Sequence, residues 1–166
     1  MSSYSFRPFT RTDLPMMKRW LHTPEVVRWW GDPEQQLPLL VADLDEPQMR
    51  QWMVEHDGVP FAYVQAYPIH VWPQPHLAAL PAGAVGVDAF VGVPEMIGRG
   101  HGGAFLRQLA EMLVAEGVPA IAIDPSIDNH RARRAYANAG FVNASEADTE
   151  SGRVVVMIFR GGATSP

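Results

Sequence analysis

Hydrophobic and polar positions repeat with two different periods along this chain, and the switches between them outline its elements. Residues 4–9 alternate Tyr4 and Phe6 with Ser5 and Arg7, the period of a first strand. A helix is predicted over about 14–21, capped by Thr12 or Asp13, with Pro15 in its first turn, where proline is tolerated. Residues 24–30 read as a second short helix stopped by Gly31. Trp29 and Trp30 are adjacent, so one core cannot take both; one of them either lines a surface or cleft or packs at the helix end. Residues 34–44 are a third helical stretch, which Pro38 threatens to interrupt.

Residues 51–56 and 60–67 flank Asp57-Gly58, a hairpin turn signal. Phe61, Tyr63, Gln65 and Tyr67 share one face of the second strand, either a binding surface or an ordinary half-buried sheet face. The proline-rich loop 68–83 holds His70, Trp72 and His76, and its histidines read as solvated loop residues without metal-ligand spacing. Residues 84–91 form a strand with Asp88 near its middle. That lone carboxylate is either functional or tied into an ion pair. After a glycine-rich turn, the spacing predicts a helix over 105–116 with Phe105, Leu106, Leu109, Met112 and Leu113 facing the core, ended by Gly117. Residues 120–123 form a short buried strand ending at Asp124-Pro125-Ser126, and strand–helix–strand order makes it parallel to 84–91, which can bring Asp88 and Asp124 together. Asp128 or Asn129 caps a helix through Ala139 with Gly140 as its stop, and 141–149 and 153–159 close the fold as a hairpin. The expected class is α+β, a mixed, mostly antiparallel sheet with one central βαβ unit flanked by helices.

Composition narrows the possibilities. At 166 residues, 47% hydrophobic and 19% charged, the chain is expected to form one globular domain over 1–160 with a loose tail at 161–166. No apolar run is long enough to span a bilayer, and the amino terminus lacks the charged-then-apolar pattern of a secretory signal. The absence of cysteine excludes disulfides, thiolate metal sites and cysteine nucleophiles, and fits the cytoplasm. A net charge of −5 argues against nucleic acid and favours a small cationic partner. No metal site, no membrane association and a monomer or homodimer are expected.

The stretch Val93-Pro94-Glu95-Met96-Ile97-Gly98-Arg99-Gly100-His101-Gly102-Gly103-Ala104 carries the strongest chemical signal. A turn poor in Cβ atoms that opens a helix leaves backbone N–H groups free at the positive end of the helix dipole, ready to hold a phosphate, with Arg99 adding a cation. Gly98 to Gly103 also satisfies the dinucleotide pattern Gly-x-Gly-x-x-Gly, with Asp124 about twenty residues on. Six residues separate the strand from Gly98, however, where a dinucleotide turn is tight, and only one βαβ unit is present. No Lys-Ser or Lys-Thr follows, which excludes a P-loop.

Two motifs together make the chain resemble the GNAT superfamily of N-acetyltransferases. The acyl-coenzyme A loop of that family usually reads Arg/Gln-x-x-Gly-x-Gly/Ala after Pro-Glu; here Pro94-Glu95, Gly100 and Gly102 match, and Ile97 replaces the first residue. The family's Asn-x-x-Ala-x-x-x-Tyr-x-x-x-Gly-Phe is matched in full by Asn129, Ala132, Tyr136, Gly140 and Phe141. Trp29-Trp30-Gly31, the run from Ala62 to Tyr67, Gly86-Val87-Asp88 and Asp124-Pro125-Ser126 further resemble the bacterial aminoglycoside 6′-N-acetyltransferases, whereas 68–83 departs from them apart from Trp72.

The resemblance implies acetyl-CoA as cofactor, held by Phe90, Gly92, Gly98, Arg99, Gly100, His101, Gly102, Gly103, Ala104, Asn129 and Tyr136. It implies an acceptor site of Trp29, Trp30, Gln65, Tyr67, Trp72, Asp88 and Asp124. Asp88, Asp124 and Tyr136 become the catalytic candidates. The amine attacks the thioester directly; Asp88 takes its proton, directly or through water, since a carboxylate with pKa about 4 is a poor match for an amine. A backbone N–H between Asp88 and Gly92 stabilises the oxyanion, and Tyr136 protonates or hydrogen-bonds the departing thiolate. Other implied acceptors are a siderophore precursor or a protein amino terminus; a silent acyl-CoA or antibiotic-binding module is the reading from another class.

Overall fold

The structure is a computed structural model that describes residues 3–161. Its elements are β1 (Tyr4–Pro8), α1 (Leu14–Leu21), α2 (Pro24–Trp30), α3 (Pro33–Asp43), β2 (Arg50–His56), β3 (Val59–Pro68), β4 (Val85–Val91), α4 (His101–Ala115), β5 (Ile121–Ile123), α5 (His130–Ala139), β6 (Phe141–Thr149) and β7 (Gly152–Phe159). The strands form one seven-stranded sheet in the order β1-β2-β3-β4-β5-β7-β6. β4 and β5 are parallel, while the β1–β2, β2–β3, β5–β7 and β6–β7 pairs are antiparallel. This is the α+β class expected, with β4-α4-β5 as its parallel unit. The chain divides into two compact units, one of residues up to Ala66 with Ala89–Ile97 and the other of Tyr67–Asp88 with residues from Gly98 onward. Of the tail expected from Gly161, all but that glycine lies outside the described residues.

The first unit is built around aromatic packing. Phe9, Met17, Trp20, Leu21, Val26, Leu40, Met53, Tyr63 and Phe90 form one buried cluster, with Trp30 and Leu37 packed against it. The hairpin turn is as the sequence implies: Asp57 and Gly58 both take positive φ, 52° and 79°. Two details differ from expectation. Asp13 occupies the N-cap position of α1 but gives that helix no side-chain cap. Its carboxylate instead accepts from the Thr10 amide at 3.0 Å and from both terminal nitrogens of Arg7, each at 3.0 Å. The second is α3, which runs unbroken through Pro38. Pro38 and Glu34 are both exposed, so the carbonyl that loses its helical donor faces water.

In the second unit α4 begins at His101, four residues before the expected Phe105. Gly102 and Gly103 therefore belong to its first turn rather than to the preceding loop. Gly103 is dictated by packing, since a Cβ there would stand 2.7 Å from the Ala135 carbonyl of α5. In the first unit Gly92 is equally constrained, because a Cβ there would fall inside the Trp20 ring. Gly92→Ala overpacks that buried contact and is expected to destabilise the protein by about 1–3 kcal/mol. Chemical denaturation checks this, and an unchanged midpoint would contradict the packing described.

Candidate active site

The parallel pairing of β4 with β5 sets the site. Val85 pairs with Ile121 and Gly86 with Ala122. Two residues further along each chain stand Asp88, at the middle of β4, and Asp124, just past the end of β5. Gly86 lies on the same face of β4 as Asp88, and the Tyr67 ring crosses that face. A Cβ at Gly86 would come within 2.5 Å of Tyr67 Cζ and 2.6 Å of its hydroxyl. Glycine at 86 is thus what admits the phenol beside Asp88.

Two phenols and two carboxylates form one electrostatic cluster. Burial pushes the Tyr67 hydroxyl far above its ordinary pKa, and the charges of Asp88 and Asp124 push it the same way; a hydrogen bond from Gln74 Nε2, at 3.2 Å, opposes them. Tyr136, brought in from α5, is raised by the same three causes: burial first, then Asp88 and Asp124. Its ring rests against Phe141, with centroids 6.3 Å apart. Asp88 and Asp124 thus act on both Tyr67 and Tyr136.

His76 corrects the sequence reading. Far from being solvated, its side chain is only 8% exposed, and Nε2 lies 2.8 Å from Oδ2 of Asp124, which is 21% exposed. Burial raises the Asp124 carboxyl while this hydrogen bond and the imidazole's charge oppose the shift, and burial prevails. Trp72 stands edge-on to Tyr67 with centroids 6.4 Å apart. Trp72, Gln74 and His76 thus reach into the cluster from alternate positions of the loop, a period-2 pattern visible in the sequence that the prolines around it obscured. His70 keeps to the loop itself, with Nε2 2.9 Å from the Leu80 carbonyl.

In the first unit the candidates have other surroundings. Trp30 packs edge-on against Phe90 at 4.9 Å and Tyr63 at 6.1 Å, and Phe90 stacks on Tyr63 at 5.6 Å. Trp30 and Phe90 are therefore members of the aromatic core. Trp29 points elsewhere: its Nε1 donates to Glu25 at 3.2 Å and the Arg28 guanidinium lies over its ring at 4.6 Å. Gln65 accepts from the Tyr63 hydroxyl at 2.7 Å, and Gln51 donates to that hydroxyl at 3.0 Å. The strand face carrying Tyr63 is thus buried and internally bonded.

The glycine turn presents an open cradle. Gly98 and Gly100 take φ of 78° and 85°, and a Cβ at either would meet nothing within 4 Å. Gly100 is the N-cap of α4, which has no side-chain cap and no acid in its first turn. First-turn amides lack helical partners by construction, so this end suits an anion. Arg99 is exposed at its lip, and His101 and Ala104 continue into the helix. The Asn129 carboxamide is engaged in structure: its Oδ1 accepts from the Ala132 amide at 3.2 Å and caps α5. Because Tyr67 and Tyr136 are both raised, spectrophotometric titration should show neither phenol ionising near pH 10, the ordinary value. The Phe variant at either position is expected to leave the signal gained between about pH 9 and 11 unchanged. Loss of that signal would contradict the buried, anion-flanked setting.

Comparison with known proteins agrees with this architecture. The model of the acetyltransferase (GNAT) domain matches residues 10–149. The chain is 30% identical, over 94% of its own length and 82% of the relative's, to the aminoglycoside N(6′)-acetyltransferase type 1 of Klebsiella pneumoniae. It is similar to the solved structure of AAC(6′)-Ib in complex with paromomycin and acetyl-CoA, with a TM-score of 0.81 and 29% identity, covering 95% of this chain and 93% of that one. The same enzyme solved with coenzyme A and kanamycin gives a TM-score of 0.80 at 29% identity, over 94% of each chain. The chain belongs to the GNAT family of acetyltransferases.

Proposed function

We propose that this N-acetyltransferase transfers the acetyl group of acetyl-CoA to the 6′-amine of an aminoglycoside. The observation that carries the proposal is that Asp88 on β4 and Asp124 at the end of the parallel strand β5 both act on the hydroxyl of Tyr136. Two carboxylates suit an acceptor that arrives as a polycation, and the chain's net charge of −5 favours the approach of such a molecule over nucleic acid. The relatives named above act on or bind aminoglycosides, which supports this choice of amine.

The uncapped start of α4 and the open space over Gly98 and Gly100 fit the pyrophosphate of coenzyme A, with Arg99 as an added cation. When bound, acetyl-CoA supplies a thioester carbonyl for direct attack by the amine. Asp124 and Asp88 hold the ammonium form, and Asp88 accepts the proton that must leave before attack, directly or through water. Tyr136 faces the departing thiolate. Its upward shift keeps the phenol protonated across the neutral range, and transfer of that proton to a thiolate with pKa about 8.5 is uphill. Tyr136 thus stabilises the thiolate by donating a hydrogen bond, while bulk water completes its protonation. Tyr67 and Trp72 serve as acceptor contacts. We place the reaction in the cytoplasm, in keeping with a cysteine-free chain.

Thiol release from acetyl-CoA, measured with aminoglycosides carrying either a 6′-amine or a 6′-hydroxyl, tests the proposal. Release is expected only with the 6′-amine; release that ignores this group, or that requires a peptide or hydroxamate precursor instead, would overturn the acceptor assignment. Tyr136→Phe is expected to lower kcat by roughly ten- to a hundredfold, the worth of a hydrogen bond to a charged group, with coenzyme A affinity retained. Unchanged turnover would remove Tyr136 from the reaction.

A further inference from the structure

The loop between β3 and β4 is pinned rather than free. The Ile69 amide bonds the Ala84 carbonyl at 3.0 Å where the loop starts and ends, and His70 holds the Leu80 carbonyl at 2.9 Å across it. Leu77 is buried within a single 3-10 turn, Pro75–Leu77, which carries His76 inward. From this frame two side chains make polar contacts with the cluster: Gln74 donates to the Tyr67 hydroxyl at 3.2 Å, and His76 meets Asp124 at 2.8 Å. Acidic Asp124 has no proton to give when ionised, so Nε2 of His76 must be the donor in that state. The hydrogen bond from His76 to Oδ2, together with one from the Asp124 backbone amide, restrains the carboxylate.

We infer that His76 is the positioning residue for the acceptor amine: its hydrogen bond to Oδ2 of Asp124 restrains the carboxylate that meets the ammonium, making this loop a determinant of which cationic amines bind. The inference rests on the acetyltransfer reading above and adds to it a residue that touches neither the thioester nor the leaving thiol. The charged and titratable groups around the contact are Asp124 at the end of β5, Asp88 on β4, Tyr67 on β3 and Tyr136 on α5, the last two being under the influence of both carboxylates.

His76→Ala, His76→Gln, Asp124→Asn and the double variant His76→Ala/Asp124→Asn test this in the full-length protein. In steady-state assays His76→Ala is expected to raise KM for the amine about tenfold, with KM for acetyl-CoA and the thermal midpoint little changed. His76→Gln, whose amide can donate from a similar position, should recover most of that loss. Calorimetric titration with kanamycin completes a cycle: removing His76 should weaken binding in the parent but have no further effect once Asp124 is Asn. Additive losses, equal impairment by Ala and Gln, or a His76→Ala protein that binds the amine as well as the parent would overturn the inference. Should the parent acetylate only a different polyamine, the aminoglycoside assignment fails and the same cycle run on that polyamine decides the role of His76. A parent with no acetyltransferase activity at all overturns both.

Discussion

Asp88 on β4 and Asp124 at the end of the neighbouring parallel strand β5 both act on the hydroxyls of Tyr67 and Tyr136, and the second unit of this protein is arranged around that cluster. Carboxylates and phenols taken out of water lose solvation that the groups around them must offset. Here the compensations are specific. A histidine donates to Asp124, both neighbouring tyrosines remain neutral because burial and the two anions resist their ionisation, and the glycine at 86 leaves room for one of those phenols. Under the proposed function this arrangement is complementary to an ammonium ion. The electrostatics thereby favour binding of the protonated amine, and the same carboxylates then face the proton that must be removed.

A division of labour follows. The loop and first turn from Gly98 to Gly103 supply backbone donors and open space, features that suit phosphate and tolerate little side-chain bulk. The strand ends and the loop before β4 supply titratable side chains. Chemistry at the amine and anchoring of the coenzyme thus draw on different properties of one β4-α4-β5 unit. In the other unit the aromatic cluster around Tyr63 and Phe90 satisfies its own polar atoms, as the bonds from Gln51 and to Gln65 show.

Much of the fold was legible because local signals agreed with tertiary structure. The Asp57-Gly58 turn and the glycine stops after α2 and α5 each specify one geometry with few rivals. The boundaries that moved did so for tertiary reasons. α4 extends back over Gly102 and Gly103 since close packing on Ala135, rather than glycine's reluctance to be helical, decides that turn. Asp13 gives up its capping role because Arg7 offers a charge-assisted partner.

The site was legible where a motif fixed the spacing and obscure where a contact was long-range. Asp88 and Asp124 follow from strand order, and Tyr136 from its helix. His76 meets Asp124 across a separation of 48 residues, from a loop whose prolines obscure the alternation of Trp72, Gln74 and His76, so no local rule marks the contact. Trp29 and Trp30 were separable only in principle; the structure assigns Trp30 to the core and Trp29 to its own helix surface. The central claim is that the paired carboxylates, and not the coenzyme loop alone, make this chain an amine acetyltransferase. Its most direct measurement is kcat/KM for a 6′-amine aminoglycoside in Asp88→Asn and Asp124→Asn, with coenzyme A affinity determined beside each. The account predicts a loss of at least about tenfold in both variants with coenzyme A binding preserved; undiminished transfer in either would contradict it.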